Sequence, residues 1–147
     1  MKKLIIIRGL PGSGKTYLAR NIEKVLGDVG LHTASVSYTA YFRDEDGREV
    51  IVGPEVSKAH KWSEERVDAF LADEDTDVVL VHNIFAEQWE VDPFLALADK
   101  HAADVRVISI FDAGLSDEEL VRRSVHAVHP HVVDKHRRAW VKDINVE

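Results

Sequence analysis

Residues 4–16 read Leu-Ile-Ile-Ile-Arg-Gly-Leu-Pro-Gly-Ser-Gly-Lys-Thr, and this stretch decides the fold. The segment Gly9–Thr16 fits the pattern G-x-x-x-x-G-K-[ST] at every fixed position. Before it, Leu4–Ile7 is an apolar, largely β-branched run that is typical of a strand buried on both faces. After it, apolar residues at positions 18, 22, 25 and 26 share one face of a helix. The glycine-rich loop therefore lies between a strand and a helix, which is the context that a phosphate-binding loop requires.

The loop has the chemistry to hold a chain of phosphates. Glycines at 9, 12 and 14 allow backbone angles that side chains forbid, so main-chain N–H groups can point inward at phosphate oxygens. The start of the following helix adds positive potential. In this pattern Lys15 reaches the β- and γ-phosphates, and the hydroxyl of Thr16 is placed to ligate Mg²⁺. We therefore predict a nucleoside triphosphate site made by Gly9, Pro11, Gly12, Ser13, Gly14, Lys15, Thr16 and Tyr17.

The alternative is a glycine-rich turn between strand and helix that binds nothing. From average composition, a chance match to the pattern in a chain of this length occurs on the order of once in a few hundred. Because the strand and the helix are also in place, we favour the nucleotide site.

Composition and charge narrow the class of protein. The chain has 147 residues, 45% of them hydrophobic and 31% charged, which suits a single globular domain over residues 1–147. It has no cysteines, which excludes disulfides and thiolate zinc sites. Leu4–Ile7 is too short for a signal peptide or a membrane span, so we expect a cytoplasmic protein without membrane contact. A net charge of −7 argues against indiscriminate binding of nucleic acid but allows a local basic groove.

Strand and helix patterns alternate along the whole chain. Strands are predicted over residues 3–8, 33–38, 77–81 and 105–111, and helices over 15–26, 54–71, 92–102, 116–123 and 131–141. This alternation predicts an α/β fold with a mostly parallel sheet of four or five strands and helices on both faces. Asp46-Gly47 predicts a small hairpin between strands two and three. Because ligands bind at the carboxyl ends of parallel strands, the residues that follow each strand matter most: Arg8–Gly9, Ser37–Tyr41, His82–Phe85 and Asp112.

Motifs in the rest of the chain resemble those of a known family. After the loop come Tyr41-Phe42, Asp46-Gly47, Ala59-His60-x-Trp62, Asn83 with Trp89-Glu90, and Glu119-Leu120-x-x-Arg123 with His126-x-Val128. In their order and spacing these motifs are similar to P-loop kinases related to polynucleotide 5′-hydroxyl kinase. That group of AAA-type and zeta-toxin-like small kinases includes phage kinases of hydroxymethyluracil in DNA. The similarity extends from residue 1 to about residue 140.

The resemblance implies transfer of the γ-phosphate of ATP to a hydroxyl, often on DNA or RNA. It implies ATP and Mg²⁺ as cofactors, with Lys15 and Thr16 as the phosphate and metal residues, and a small helical lid over the site. Arg123, with Arg122 beside it, would be the lid arginine that neutralises charge on the transferring group. Such an arginine is worth roughly 10³–10⁵ in rate in related enzymes. The alternative for Arg123 is a solvated cation on a helix.

Two segments depart from the family pattern. After the second strand the family carries paired aspartates, one of which is the base for the acceptor hydroxyl, and here Thr39 and Ala40 stand in their place. After the third strand the family pattern Asp-Asn-Thr-Asn is replaced by residues 82–85, His-Asn-Ile-Phe, so that Ile84 and Phe85 stand in place of polar groups that would face the substrate. Loss of a general base costs roughly 10²–10⁴ in rate. Phosphoryl transfer depends mainly on positioning and charge neutralisation, so these losses are compatible with a slow kinase.

Several residues are candidates for the missing chemistry. His82 has a suitable ordinary pKa and a strand-end position, and its alternative role is a hydrogen-bonded structural histidine. Asp44 and Asp46 follow the altered segment closely, and their alternative role is a solvated turn. Tyr41, Asp44 and Asn83 are the candidate contacts to the acceptor substrate.

Residues 122–142 form a basic stretch in an otherwise acidic protein. Its lysines and arginines either contact polynucleotide or ATP phosphates or form the outer faces of two ordinary helices. The same stretch holds four histidines that suggest a metal site, but no carboxylate or thiolate has convincing spacing to complete it: His126, His129, His131 and His136.

Two functions follow from these observations. The first is an ATP- and Mg²⁺-dependent kinase that acts on a hydroxyl of DNA, RNA or a nucleoside. The alternative is a degenerate kinase that binds nucleotide as a non-catalytic or regulatory module, which Thr39, Ala40, Ile84 and Phe85 favour. A nucleotide hydrolase is disfavoured, because no aspartate follows the third strand and the resemblance implies a lid.

Overall fold

The computed structural model of the chain describes residues 2–126 and 128–147. Strands and helices alternate, as the sequence predicts. The strands are β1 (Lys3–Gly9), β2 (Thr33–Val36), β3 (Val78–Asn83) and β4 (Asp104–Phe111). The helices are α1 (Lys15–Asp28), α2 (Val56–Ala72), α3 (Gln88–Lys100), α4 (Asp117–Arg123) and α5 (Pro130–Ala139), and two short 3₁₀ turns lie at Tyr38–Phe42 and Gly53–Glu55.

The four strands form one sheet in the order β2-β3-β1-β4, and every pairing is parallel. This confirms the predicted α/β fold. β1 lies at the centre, with Arg8 opposite Asn83 of β3. On the far side of β3, Val36 of β2 lies opposite Val81. The carboxyl ends of β1, β2 and β3 therefore meet at one edge, directly beside the glycine-rich loop.

Helices cover both faces of the sheet, because side chains alternate along each strand. On one face Leu4 and Ile6 pack with Val67 of α2 and Phe94 of α3. On the other face Ile7 packs against α1. Each such buried side chain contributes about 1.5–3 kcal/mol of hydrophobic free energy, and this packing holds α1 and the loop before it against the strand ends.

A third apolar cluster joins α4 and α5 to the loop. Leu10 of the loop, Leu120 of α4 and Val133 of α5 are all fully buried against one another. Phe111 at the end of β4 and Trp140 pack around them. These two helices therefore form the small helical unit above the loop that the sequence predicts as a lid.

Element bounds differ from the predictions in two places that shape the site. β2 ends at Val36 and not at residue 38, because the backbone N–H of Tyr38 donates to Asn83 Oδ1 at 3.1 Å and the chain turns across the end of β3. α3 begins at Gln88 and not at Asp92, because Glu87 and Glu90 form a reciprocal capping box. The predicted hairpin is reduced to one antiparallel bridge, Arg43 to Glu49.

Arg8 has a structural role that sequence reasoning did not identify. Its guanidinium is fully buried and donates to the carbonyls of Phe85 at 2.9 Å, Ala86 at 3.1 Å and Lys142 at 3.2 Å. It also lies 3.9 Å from the centre of the Trp140 ring. Arg8 thereby ties the loop after β3 to the C-terminal segment. Among the described residues, no helix is both long and apolar enough to cross a membrane.

Candidate active site

A cavity of about 490 Å³ opens at the carboxyl edge of the sheet. Its floor is the glycine-rich loop and the start of α1, from Pro11 to Tyr17. One wall is formed by the ends of β2 and β3 and by Ile51. The opposite wall is formed by the end of α4, the segment that follows it, and Val132 of α5. The structure therefore brings together the loop, the altered strand ends and the lid that the sequence singles out separately.

Two glycines allow the loop to sit where it does. Gly12 has φ +78°, and a side chain there would overlap the backbone carbonyl of Leu120 in α4. Gly14 has φ +106° and precedes the first turn of α1, with open space around it. Both positions need the left-handed backbone that glycine adopts without cost. At Gly12 the glycine additionally allows α4 to pack directly on the loop.

Polar groups within the loop are incompletely satisfied by the protein. Lys15 Nζ donates to the Leu10 carbonyl at 3.0 Å, and burial lowers the pKa of Lys15 to about 8. Ser13 Oγ is buried and has no hydrogen-bond partner among the described residues. A desolvated ammonium and an unpaired hydroxyl are both costly, and an anion in the loop would relieve the first cost.

His82 faces the cavity from the end of β3 and is 8% exposed. Burial, together with the nearby positive charge of Lys15, lowers the pKa of His82 to about 4, against an opposing effect of Glu49. Its imidazole is therefore neutral at pH 7. With this pKa the imidazole of His82 is a weaker base than an ordinary histidine, and its catalytic role remains a prediction.

Asn83 is 3% exposed and is among the residues that line the cavity. Its Oδ1 accepts from the N–H of Tyr38 at 3.1 Å and from the hydroxyl of Ser37 at 3.5 Å. These bonds orient the amide. Its Nδ2 has no partner in the part of the chain that the structure describes. Asn83 is thus a buried donor that a ligand oxygen would satisfy, and its contact with substrate remains a prediction.

Two of the predicted acceptor contacts lie outside the cavity wall. Tyr41 packs edge-on against Phe42 and Trp62, with ring centres 5.2 and 5.8 Å away. Asp44 is exposed, and its Oδ1 accepts the backbone N–H groups of Asp46 and Arg48 at 2.9 and 2.8 Å. Asp44 therefore stabilises a solvated turn, which corrects its assignment to the substrate site or to the base.

Ile84 and Phe85, predicted to face the substrate together, point in different directions. Ile84 lines the cavity. Phe85 is 3% exposed and packs edge-on against Phe94 in the core, with ring centres 5.4 Å apart. Its φ of +49° turns the chain inward at this point, so the prediction was wrong for Phe85.

The two adjacent arginines of α4 also differ. Arg123, the last residue of α4, is exposed and lines the cavity, as a lid arginine would. Arg122 pairs with Glu119 on its own helix and does not line the cavity. The structure thus separates the two: Arg123 is on the cavity wall and Arg122 is not, and a catalytic role for either remains a prediction.

The basic stretch is partly neutralised by ion pairs. Arg137 donates to Asp112 and Asp117, each at 2.7 Å, and to the Leu115 carbonyl at 3.2 Å. Arg138 pairs with Asp134 at 2.8 Å. Arg137 therefore anchors α5 to the end of β4, whereas Arg138 remains largely exposed beside Asp134.

Glu49 is a site-adjacent carboxylate that sequence reasoning missed. It lies 2.7 Å from Arg43 Nη2 and 3.4 Å from His126 Nε2, and its carbonyl oxygen is 3.3 Å from His126 Nδ1. His126 lines the cavity from the lid side. These contacts close one end of the cavity. No local signal could have found them, because the two residues are 77 positions apart.

The described residues do not form a metal site of their own. No group of three or more His, Cys, Asp and Glu among them could hold an ion. No carboxylate is among the described residues that line the cavity, and Thr16 is the loop hydroxyl there. Mg²⁺ in proteins ordinarily uses one or two carboxylates besides substrate phosphates, so the donor set does not fit the predicted ion well.

Comparisons with known proteins agree with this architecture. A family model described as an AAA domain matches residues 4–142. NEDD4-binding protein 2 of Homo sapiens is 31% identical over 129 residues, which cover 85% of this chain and 7% of that protein. The chain thus spans a small fraction of that relative.

Two solved structures share the fold. A chain of the Pnkp1/Rnl/Hen1 RNA repair complex has a TM-score of 0.66 and 22% identity, covering 94% of this chain and 43% of that one. The Mycobacterium tuberculosis APS kinase CysC, in complex with AMPPNP and APS, has a TM-score of 0.56 and 19% identity. The matched region covers 74% of this chain and 61% of the APS kinase chain. At these identities the likeness concerns the fold.

Proposed function

The chain belongs to the AAA domain family, and on that premise we propose that it is a kinase that transfers the γ-phosphoryl group of ATP to a hydroxyl of a nucleic acid or nucleoside. One observation carries the proposal. A single cavity joins Lys15 of the loop, Asn83 at the strand ends and Arg123 of the lid. Two structural neighbours, a chain of an RNA repair complex and an APS kinase, support a nucleic-acid acceptor and phosphoryl transfer respectively.

The donor side works through charge and backbone. The loop amides and Lys15 bind the β- and γ-phosphates, and Arg123 lines the same cavity. The acceptor oxygen bonds to the γ-phosphorus, the bond to the bridging oxygen of the β-phosphate breaks, and ADP leaves. Lys15 and Arg123 neutralise the charge that is shared between the two groups in the transition state.

The acceptor side works through positioning. Asn83 Nδ2 donates to an oxygen of the acceptor, and the Ile84 side chain packs against its apolar part. Thr39, which lines the cavity, cannot take the hydroxyl proton at neutral pH, and the neutral His82 takes it only weakly. The proton therefore leaves to solvent or to the transferred phosphoryl group, and we expect a slow reaction.

The test is a transfer assay with γ-labelled ATP and a panel of acceptors. The panel contains hydroxymethyluracil DNA, 5′-hydroxyl DNA and RNA oligonucleotides, and free nucleosides. We expect label on at least one acceptor, and its loss in Lys15→Ala. An intact protein that binds ATP yet labels nothing in the panel would contradict the kinase proposal.

A second candidate function is a nucleotide-binding module without catalysis. The observation that favours it is the cavity wall, in which no described residue is a carboxylate and His82 is a weak base. In that case ATP binds and no acceptor is labelled. The same assay therefore separates the two functions, provided that ATP binding is measured in parallel.

A further inference from the structure

We propose that this cavity binds the triphosphate of ATP with little dependence on Mg²⁺, because charged side chains and loop amides do the work that the ion does elsewhere. The inference rests on the proposed nucleotide site and concerns binding, not catalysis. It starts from the disagreement between the predicted ion and the residues present.

The first observation is the charge on the cavity wall. Acidic residues make up 26 of the 147 residues, about one in six, yet none is found among the twenty described residues that line the cavity. Lys15 and Arg123 both line this space. The first turn of α1 adds further positive potential. A free triphosphate therefore meets two cations on the wall and no carboxylate there, the nearby Glu49 being paired with Arg43 and His126.

The second observation is the shortage of oxygen ligands. The hydroxyls of Ser37 and Thr39 bond to each other at 3.0 Å, and Asn83 Oδ1 already accepts the N–H of Tyr38. Of the two loop hydroxyls, Thr16 lines the cavity, whereas Ser13 Oγ is buried and is not part of the described wall. Mg²⁺ prefers six oxygens in near-octahedral geometry, with carboxylates among those that a protein supplies. One neutral hydroxyl adds little to an ion that the phosphates already hold.

The third observation is what occupies the end of β3. His82 lies in register with Ile7, two residues before the loop begins, and it lines the cavity. An imidazole nitrogen suits zinc or copper better than magnesium. The carboxylate of Glu49 is not part of the described wall, and it is paired with Arg43 at 2.7 Å and His126 at 3.4 Å.

The direct test is calorimetry of ATP binding to the full chain, once with excess Mg²⁺ and once with excess EDTA. We expect the two dissociation constants to agree within about threefold, since a single neutral hydrogen bond is all that the protein loses with the ion. A tenfold or larger loss of affinity in EDTA would overturn the inference while leaving the nucleotide site intact. Absence of binding in both buffers would overturn the nucleotide site as well.

Two substitutions at position 82 test whether the missing carboxylate is the reason for the weak dependence on Mg²⁺. His82→Asp places a carboxylate beside the loop, and His82→Asn is the matched control of the same shape without charge. We expect His82→Asp to bind ATP about tenfold more weakly in EDTA than in Mg²⁺, because the new charge repels a bare triphosphate and offers the ion a ligand. Whatever its absolute affinity for ATP, His82→Asn should show the same affinity in the two buffers. Equal affinities for His82→Asp in the two buffers would overturn the role assigned to this position.

Discussion

The two halves of the cavity differ in how completely they keep the parts that phosphoryl transfer requires. The donor half, the loop at Gly9–Thr16, retains every fixed residue and the backbone angles that go with them. The acceptor half, at the ends of β2 and β3, has Thr39 and His82 where the resembling family has carboxylates. The comparison teaches that nucleotide binding and acceptor chemistry are separable, since the first depends on main-chain groups and the second on a few side chains.

The largest effect should come from removing the lid cation that links the two halves. Arg123→Ala is expected to lower the rate of transfer by about 10³, because charge on the transferring group loses its partner. ATP affinity should change far less. Arg122→Ala is the matched control, since Arg122 pairs with Glu119 and does not line the cavity. Equal rates for the two variants in the labelled-ATP assay would remove Arg123 from the site.

Removing the ammonium of the donor half should cost binding. Lys15→Ala is expected to weaken ATP by at least about 10², the value of two charge-assisted hydrogen bonds to phosphates. Its melting temperature should not fall, because a desolvated cation is lost from the fold. Calorimetry measures the first quantity and thermal unfolding the second, with Lys24→Ala, an exposed position on α1, as the control. An unchanged ATP affinity in Lys15→Ala would contradict the assignment of the loop as the donor half of the cavity.

Adding a carboxylate at position 39 should restore part of the general-base function that the acceptor half lacks. Thr39→Asp is expected to raise the rate of transfer by about 10-fold to 10²-fold, at the low end of what a general base contributes. Ala40→Asp should change the rate of transfer little, because Ala40 is not part of the described cavity wall whereas Thr39 is. Steady-state rates at saturating ATP provide the measurement. If the two aspartates act equally, the orientation of this segment is wrong.

Raising the pH should gradually weaken the binding of ATP to the donor half of the cavity. Burial lowers the pKa of Lys15 to about 8 from 10.5, so the free protein loses the ammonium above pH 8 and ATP affinity falls by up to about tenfold per pH unit. The contribution of Lys15 to the free energy of unfolding changes with pH in the opposite direction to its contribution to ATP affinity. Between about pH 8 and 10.5 the unfolded chain binds the extra proton, so stability rises with pH. Affinity and denaturant unfolding measured from pH 7 to 10 check both, and Lys15→Met should flatten both curves.

The smallest effect separates two glycines of the loop. Gly12→Ala and Gly14→Ala both place a side chain at positive φ, at a cost of about 1–3 kcal/mol. Gly12→Ala should lose at least about 1 kcal/mol more, because its methyl group overlaps the Leu120 carbonyl while Gly14 faces open space. Urea unfolding gives the difference. Equal losses would show that α4 does not rest on the loop.

Sequence patterns predicted the fold and the donor half well, because both depend on residues that are close together in the chain. The loop, the strand before it and the helix after it lie within residues 3–28. Alternation of apolar and polar residues likewise identified the strand and helix order. The bounds failed where side chains override the pattern: the bond from Tyr38 to Asn83 ends β2, and the capping box at Glu87 starts α3 early.

The acceptor half was predicted less well, since the direction of a side chain at a strand end depends on distant packing. Sequence reasoning placed Phe85 beside the substrate, whereas a positive φ turns it into the core. It assigned Asp44 to the site, whereas local N–H groups hold it in a turn. It gave His82 an ordinary pKa, which only burial could reveal to be low.

The amino-acid sequence by itself determined that a strand, an amide-lined loop and a helix would follow one another, because each is specified by neighbouring residues. Only the tertiary structure decided which side chains share the cavity. Arg8 donates to a carbonyl 134 positions away in the sequence, and Glu49 contacts His126, which is 77 positions away. Such partners are chosen by how the sheet edge and the helices pack, and no local pattern carries that information.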